Sequence, residues 1–155
     1  MTQMPITIRL ATRDDLPALV GLHAADGLGG HGDVWSPETQ CLYEKAFAEI
    51  DAHPDHHLYI AEAGGDVVGT FMLSRLPGIT GRGKPHVELR SVQVDQSKRS
   101  MGIGALLVAY AEEEAQRMGA SALELTSNLK RVDAHRFYER LGFAKSHAGF
   151  KKKFV

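Results

Sequence analysis

Hydrophobic and polar positions alternate along residues 86–94, HVELRSVQV, so that Val87, Leu89 and Ser91 fall on one side and Glu88, Arg90, Val92 and Val94 on the other. β-Branched residues at a period of two predict a strand. A polar bend follows at 95–100, then Gly102 and Gly104. Ile103, Leu106, Leu107, Tyr110, Ala111, Ala115 and Met118 then recur at helical spacing. The centre of the chain therefore reads as strand, glycine-rich turn, helix.

The same patterning orders the rest. Residues 6–10 alternate as a first strand, and Thr12 caps a helix with Asp15 three residues on, a capping-box arrangement. Leu16, Leu19, Val20 and His23 line its inner face. Gly27, Gly29, Gly30 and Gly32 break it and predict a mobile loop that carries His31. Ser36, with Pro37 behind it, caps a second helix lined by Leu42, Tyr43, Ala46, Phe47 and Ile50. Residues 57–62 and 67–73 form a hairpin about Gly64, Gly65 and Asp66. Residues 122–126 read as a strand and 133–141 as a short helix ended by Gly142; 143–146 and 149–154 read as a closing hairpin.

Composition narrows the class. At 155 residues a single domain, 1–155, is expected. With 43% hydrophobic residues, 24% charged and a net charge of −1, neither nucleic acid nor an anionic membrane is the expected partner. No run reaches a membrane span of ~18 apolar residues, and the opening residues lack a signal pattern, so a cytoplasmic location is expected. The one cysteine, Cys41, excludes an intrachain disulfide; placed on the inner stripe of the second helix, it reads as a buried structural thiol. His53, His56 and His57 lack the spacing of a metal site, and no metal is expected. Lys151, Lys152 and Lys153 read as the solubilising edge of the last strand.

The glycine turn carries the chemistry. Free N–H groups at a helix start bind anions, glycine admits close approach, and Arg99 adds positive charge, which together describe a pyrophosphate site. The dinucleotide fingerprint fails because its third glycine position is Leu107. The near-match to a P-loop at 78–84 ends in Pro85 and precedes a strand, so it reads as a loop. The remaining form is R-x-x-G-x-G, Arg99 to Gly104. With the preceding ELRSVQV and the downstream FYERLGF at 137–143, it resembles the acyl-CoA site of the Gcn5-related N-acetyltransferases, well over residues 57–155 and loosely before them.

The resemblance implies an α/β (α+β) fold: a central mixed, mostly antiparallel twisted sheet of about seven strands with about four helices on its faces. It implies an acetyl-CoA-dependent N-acetyltransferase in which a primary amine, of a small molecule, attacks the thioester directly, in a monomer or homodimer. A protein or peptide amine, or a non-catalytic acyl-CoA sensor, is the alternative. Acetyl-CoA would run along Val92, Gln93 and Val94, over Arg99, Ser100, Met101, Gly102, Ile103, Gly104 and Ala105, and against Ala134 and Tyr138. Where many members carry asparagine three residues before Ala134 this chain has Arg131, and Asn128 is the asparagine nearest to it. Such a reaction needs a proton acceptor, an oxyanion donor and an acid for the thiolate. By resemblance these are Glu88, the Val94 N–H and the Tyr138 hydroxyl, with Arg90 and His31 beside Glu88 as substrate contacts.

Overall fold

The structure is a computed structural model that describes residues 4–28 and 31–155. Gly29 and Gly30, in the expected glycine loop, lie outside the described residues. The chain forms two compact units, residues 1–124 and residues 125–155.

In the first unit the strands are β1 (Ile6–Leu10), β2 (His56–Ala63), β3 (Asp66–Leu76), β4 (His86–Val94) and β5 (Ala122–Glu124), in the sheet order β1-β2-β3-β4-β5. The first four pair antiparallel, and β5 runs parallel to β4. The helices are α1 (Leu16–Ala24), α2 (Gln40–Ala52) and α3 (Ile103–Arg117). The fold is α+β with a mixed sheet, as expected, but with five strands among the described residues rather than seven.

Two cores hold the sheet. On one face Tyr59 stacks on Phe71 at 4.8 Å, and Tyr110 of α3 meets both rings edge-on. Phe71, Leu73, Val87, Leu107, Val108 and Ala111 there are almost fully buried. Gly69 suits this close contact, because a Cβ would lie 3.2 Å from Leu107 Cδ1 and 3.3 Å from the Gln93 carbonyl, so its neighbours would have to give way. On the other face Ile60 clusters with Ala11, Leu16 and Leu19, and Trp35 and Phe47 pack against them. The start of α1 is built as the capping box requires. Asp15 accepts from the Thr12 N–H at 2.7 Å, and Arg9 donates to both Asp15 and Glu62. The Arg9 hydrogen bond holds the nearly buried Asp15 carboxyl below its ordinary pKa.

The second helix departs from expectation. It is capped by Thr39 rather than Ser36, which instead forms a turn whose carbonyl accepts from the Thr39 and Gln40 N–H groups. Its half-buried stripe is Tyr43, Phe47 and Ile50. Cys41, two residues before Tyr43, is turned about 200° from that stripe and is exposed, not buried. Leu42 and Ala46 are exposed too. In the second unit α4 (Val132–Arg140) is present. The closing hairpin is not: residues 143–155 carry no strand, and Phe150 is 96% exposed. The lysines at 151–153 therefore edge no strand. Among the described residues no helix is long and apolar enough to cross a membrane.

Candidate active site

The glycine turn has the geometry its residues demand. Asp95 accepts from the Ser97 N–H and hydroxyl, each at 2.8 Å, and starts the bend. Ser100 and Gly102 both take positive φ, 65° and 79°, and Gly102 caps α3. Nothing lies within 4 Å of where a Gly102 side chain would begin. A cleft of about 370 Å³ opens there, lined by Met4, Ile6, Met101, Gly102 and Leu106. The first turn of α3 therefore offers backbone donors beside open space, and Arg99 is exposed next to it.

The strand leading into this turn is open on one edge. Its parallel ladder with β5 covers only the pairs His86–Ala122, Val87–Leu123 and Glu88–Glu124. From Leu89 to Val94 no strand pairs with that edge among the described residues. Unpaired strand N–H and C=O groups are a template for an extended amide-bearing ligand. Val92, Gln93, Val94 and residues 99–105, where contacts to an acyl-CoA were expected, lie along this edge and turn.

The expected alternation along β4 breaks halfway. Arg90 pairs with Met72, but the next pair on β3 is Thr70 with Gln93, so Phe71 faces two residues, Ser91 and Val92. This is a β-bulge, and Ser91 takes a φ of 55°, uncommon outside glycine. The inserted residue inverts every face beyond it. Glu88 and Arg90 share a face with Ser74, Met72 and Thr70, and Gln93 joins them there. Val94 pairs with Gly69 and falls on the α3 side, with Val92 at the strand's period of two. The expectation that Val92 and Val94 share the Glu88 face is thus overturned. The rows of Glu88 and Gln93 are four β3 residues apart, about 13 Å, and those of Arg90 and Gln93 about 7 Å.

The polar groups on this face are specific. Glu88 pairs with Arg90 at 3.3 Å, both side chains about a third or more exposed, so the pair adds little stability. Arg90 also donates to Met72 Sδ at 3.3 Å, and His56 Nδ1 lies 2.9 Å from the buried Ser74 hydroxyl. Burial, then His53 and Arg90, push the His56 pKa down. At the bulged end Gln93 Nε2 donates to Asp26 Oδ2 at 2.9 Å, and Gln96 donates to the Ala25 carbonyl. A glutamine near the end of β4 and another on the β4–α3 connection therefore tie down the end of α1. The loop from there to α2 is pinned by Tyr43, which donates to Asp33 at 2.9 Å and accepts from the Val34 N–H. His31 is exposed on that loop. Asp26 had no signal in the sequence beyond its place at a helix end before glycines.

In the second unit Tyr138 lies on α4, edge-on to Phe137 at 5.1 Å and to Phe143 at 5.7 Å. Burial pushes its phenol pKa up, so it stays protonated at neutral pH. Ala134 lies one turn earlier on α4, and Arg131 caps that helix. Asn128 spends its side-chain oxygen on the Lys130 N–H at 3.0 Å, and its carbonyl accepts from the Arg131 N–H.

Residues 26–143 match the model of the Acetyltransferase (GNAT) family. The chain belongs to that family. This GNAT chain is 38% identical over 113 residues to an aminoalkylphosphonate N-acetyltransferase of Salmonella typhimurium, covering 71% of each. It is 30% identical over 155 positions to the N-alpha-acetyltransferase RimI of Mycobacterium tuberculosis, covering 92% of this chain and 90% of that one. Among solved structures it is similar to a protein described as a transcriptional regulator from Bacillus halodurans. That likeness has a TM-score of 0.92 at 35% identity, over 97% of this chain and all of that one. The protein is an N-acetyltransferase, and its family implies acetyl-CoA as the donor.

Proposed function

We propose that this enzyme, acting as a single catalytic domain, moves the acetyl group of acetyl-CoA to the primary amine of a small molecule by direct attack on the thioester. The observation that supports it most is the open edge of β4 running straight into the left-handed Gly102 turn. Acetyl-CoA supplies the activated acyl group when bound along these residues. The Val94 N–H donates to the developing oxyanion. Tyr138, protonated at neutral pH because it is buried, gives a proton to the departing thiolate. Glu88 takes the ammonium proton through water on the exposed face it shares with Arg90 and Gln93. His31 and Arg90 contact the acceptor. Asn128 and Arg131, at the start of α4, are the candidates in the second unit for contacting CoA.

The small-molecule acceptor is supported by the aminoalkylphosphonate acetyltransferase among the relatives. RimI favours a second reading, an α-amine of a polypeptide. A panel of small primary amines and of short peptides, incubated with acetyl-CoA and followed by free thiol release, decides between them. Turnover of small amines well above that of peptides is the expected result; turnover of peptides alone would assign the second reading.

A further inference from the structure

A buried serine stands in the same row of the sheet as Glu88. Ser74 of β3 is 2% exposed and lies directly opposite Glu88 in the antiparallel register, on the face that Glu88 shares with Arg90. Its partner on the other side is His56 of β2, whose Nδ1 lies 2.9 Å from the Ser74 hydroxyl. Opposed residues of an antiparallel pair hold their Cβ atoms about 5 Å apart, and a glutamate side chain spans most of that distance. The Glu88 carboxyl therefore reaches the serine by rotating about its own bonds. As a carboxylate it pairs with Arg90 instead, at 3.3 Å. Once protonated it loses the charge that holds Arg90 and gains an O–H to donate. A hydroxyl has lone pairs as well as a hydrogen, so Ser74 can accept from Glu88 while it donates to His56.

His56 is placed to receive a proton and to lose it again. It lines a cleft of about 300 Å³ between the end of α2 and the start of β2, with Phe47, Ile50, Asp51, His53 and Leu58. The row Glu88–Ser74–His56 thus runs from the β4 face to this cleft. Burial lowers the His56 pKa most. His53, whose ring centre is 4.2 Å away, and Arg90 lower it further, Asp55 raises it, and His57 lowers it slightly. The ring is therefore neutral at neutral pH and has a nitrogen free to accept. An ordinary imidazole is about two units more basic than an ordinary carboxylate, so an ammonium proton moves less far uphill onto a histidine than onto a carboxylate. The same burial and the same cations keep His56 from retaining that proton. The charged groups beside Glu88 are Arg90 and, across the parallel pair, Glu124, itself paired with His86 at 3.0 Å.

On the reading that Glu88 takes the ammonium proton, we infer that His56 acts through Ser74 as a positioning residue that draws this proton off Glu88 and passes it to solvent at the cleft. Glu88 gives its proton to the Ser74 oxygen as Ser74 gives its own hydrogen to His56 Nδ1. The carboxylate is regenerated, and the imidazolium loses one proton. That is the proton set free when an ammonium and a thioester become an amide and a thiol.

The test follows thiol release against pH with the best acceptor of the panel above, 2-aminoethylphosphonate being tried first. His56→Ala lowers kcat/KM about tenfold at neutral pH and moves the acid limb to higher pH, with the acetyl-CoA KM unchanged. Free imidazole restores the rate of this variant, whereas pyrazole, of the same shape but a far weaker base, does not. Neither compound changes the wild type or Ser74→Ala. Ser74→Ala loses as much as His56→Ala, and the double variant loses no more than either. If His56→Ala does not fold, His56→Gln, which keeps a hydrogen bond to Ser74 but takes no proton, must show the same shift of the acid limb. A folded His56 variant with the wild-type pH profile overturns the inference, as does rescue by pyrazole equal to that by imidazole. Glu88→Gln separates the two readings. If it is slowed while the His56 variants are not, the Glu88 reading stands without this one; if it overlays the wild type, both fall.

Discussion

The two halves of β4 obey different rules. From His86 to Arg90 the strand is regular: Val87 and Leu89 are buried against the core, Glu88 and Arg90 point away, and β5 covers part of the edge. From Ser91 to Val94 the strand is bulged, its faces are inverted and its edge is open. The first half carries the Glu88–Arg90 pair on a regular frame, and the second leaves its backbone groups open. A sheet that paired fully along β4 would be more regular, but it would leave no unpaired amides for a cofactor and would not bring Gln93 to Asp26. The departure from regularity is confined to residues 91–94, next to the Gly102 turn, and bulges are common beside active sites.

Removing the bulge breaks the comparison most severely. Deletion of Ser91 leaves Gln93 opposite Thr70 and Val94 opposite Gly69 but removes the local bend and twist that lead into the glycine turn, and should lower kcat/KM at least ~10³-fold, with a lower melting temperature. Ser91→Gly keeps the left-handed backbone and should keep near-wild-type rates. Equal losses in the two variants would mean that the serine hydroxyl, not the backbone shape, matters.

Tyr138→Phe leaves both halves of β4 as they are and removes one hydroxyl. A loss of kcat of the order of 10²-fold with little change in acetyl-CoA KM is expected, measured where chemistry limits the rate. Because burial raises the phenol pKa, the alkaline fall in rate that this group causes should begin above the ordinary phenol value of about 10 and should vanish in the variant. A wild-type rate would assign Tyr138 to packing alone.

The regular half is tested by Glu88→Gln, the smallest effect of the three. At about 13 Å from the Gln93 row, Glu88 works through water, so a roughly tenfold loss of kcat/KM at neutral pH is expected, with the acid limb moved to higher pH. Arg90 stabilises the ionised carboxylate, so Arg90→Ala should shift the same limb in the same direction and by less. A pH profile of Glu88→Gln that overlays the wild type would leave Glu88 a surface residue.

Where the chain was legible, local chemistry decided the structure. Thr12 and Asp15 close their capping box, and Gly64 and Gly65 take the positive φ angles of a tight hairpin. The Gly102 turn stands where the glycines put it. Each miss has a physical cause. Ser36 and Pro37 look like a helix start, yet Thr39 donates to the Val34 carbonyl and accepts from the Ser36 N–H, so the helix begins three residues later and Cys41 turns outward. The alternation at 149–154 has no partner strand within its own unit, and alternation without a partner does not make a sheet. The bulge was illegible because VQV reads the same whether or not a residue is inserted before it. Asp26 was illegible because its hydrogen bond from the inverted Gln93 side chain joins residues far apart in the chain.

The central claim is that the acceptor binds at the bulged end of β4 rather than along its regular half. Amide chemical-shift mapping of the isotope-labelled protein, saturated with CoA and titrated with 2-aminoethylphosphonate, tests this without turnover. The account predicts the largest changes at Ser91, Val92, Gln93 and Val94, with residues 86 and 87 nearly still. Changes centred on residues 86 and 87, with Gln93 and Val94 unmoved, would contradict it.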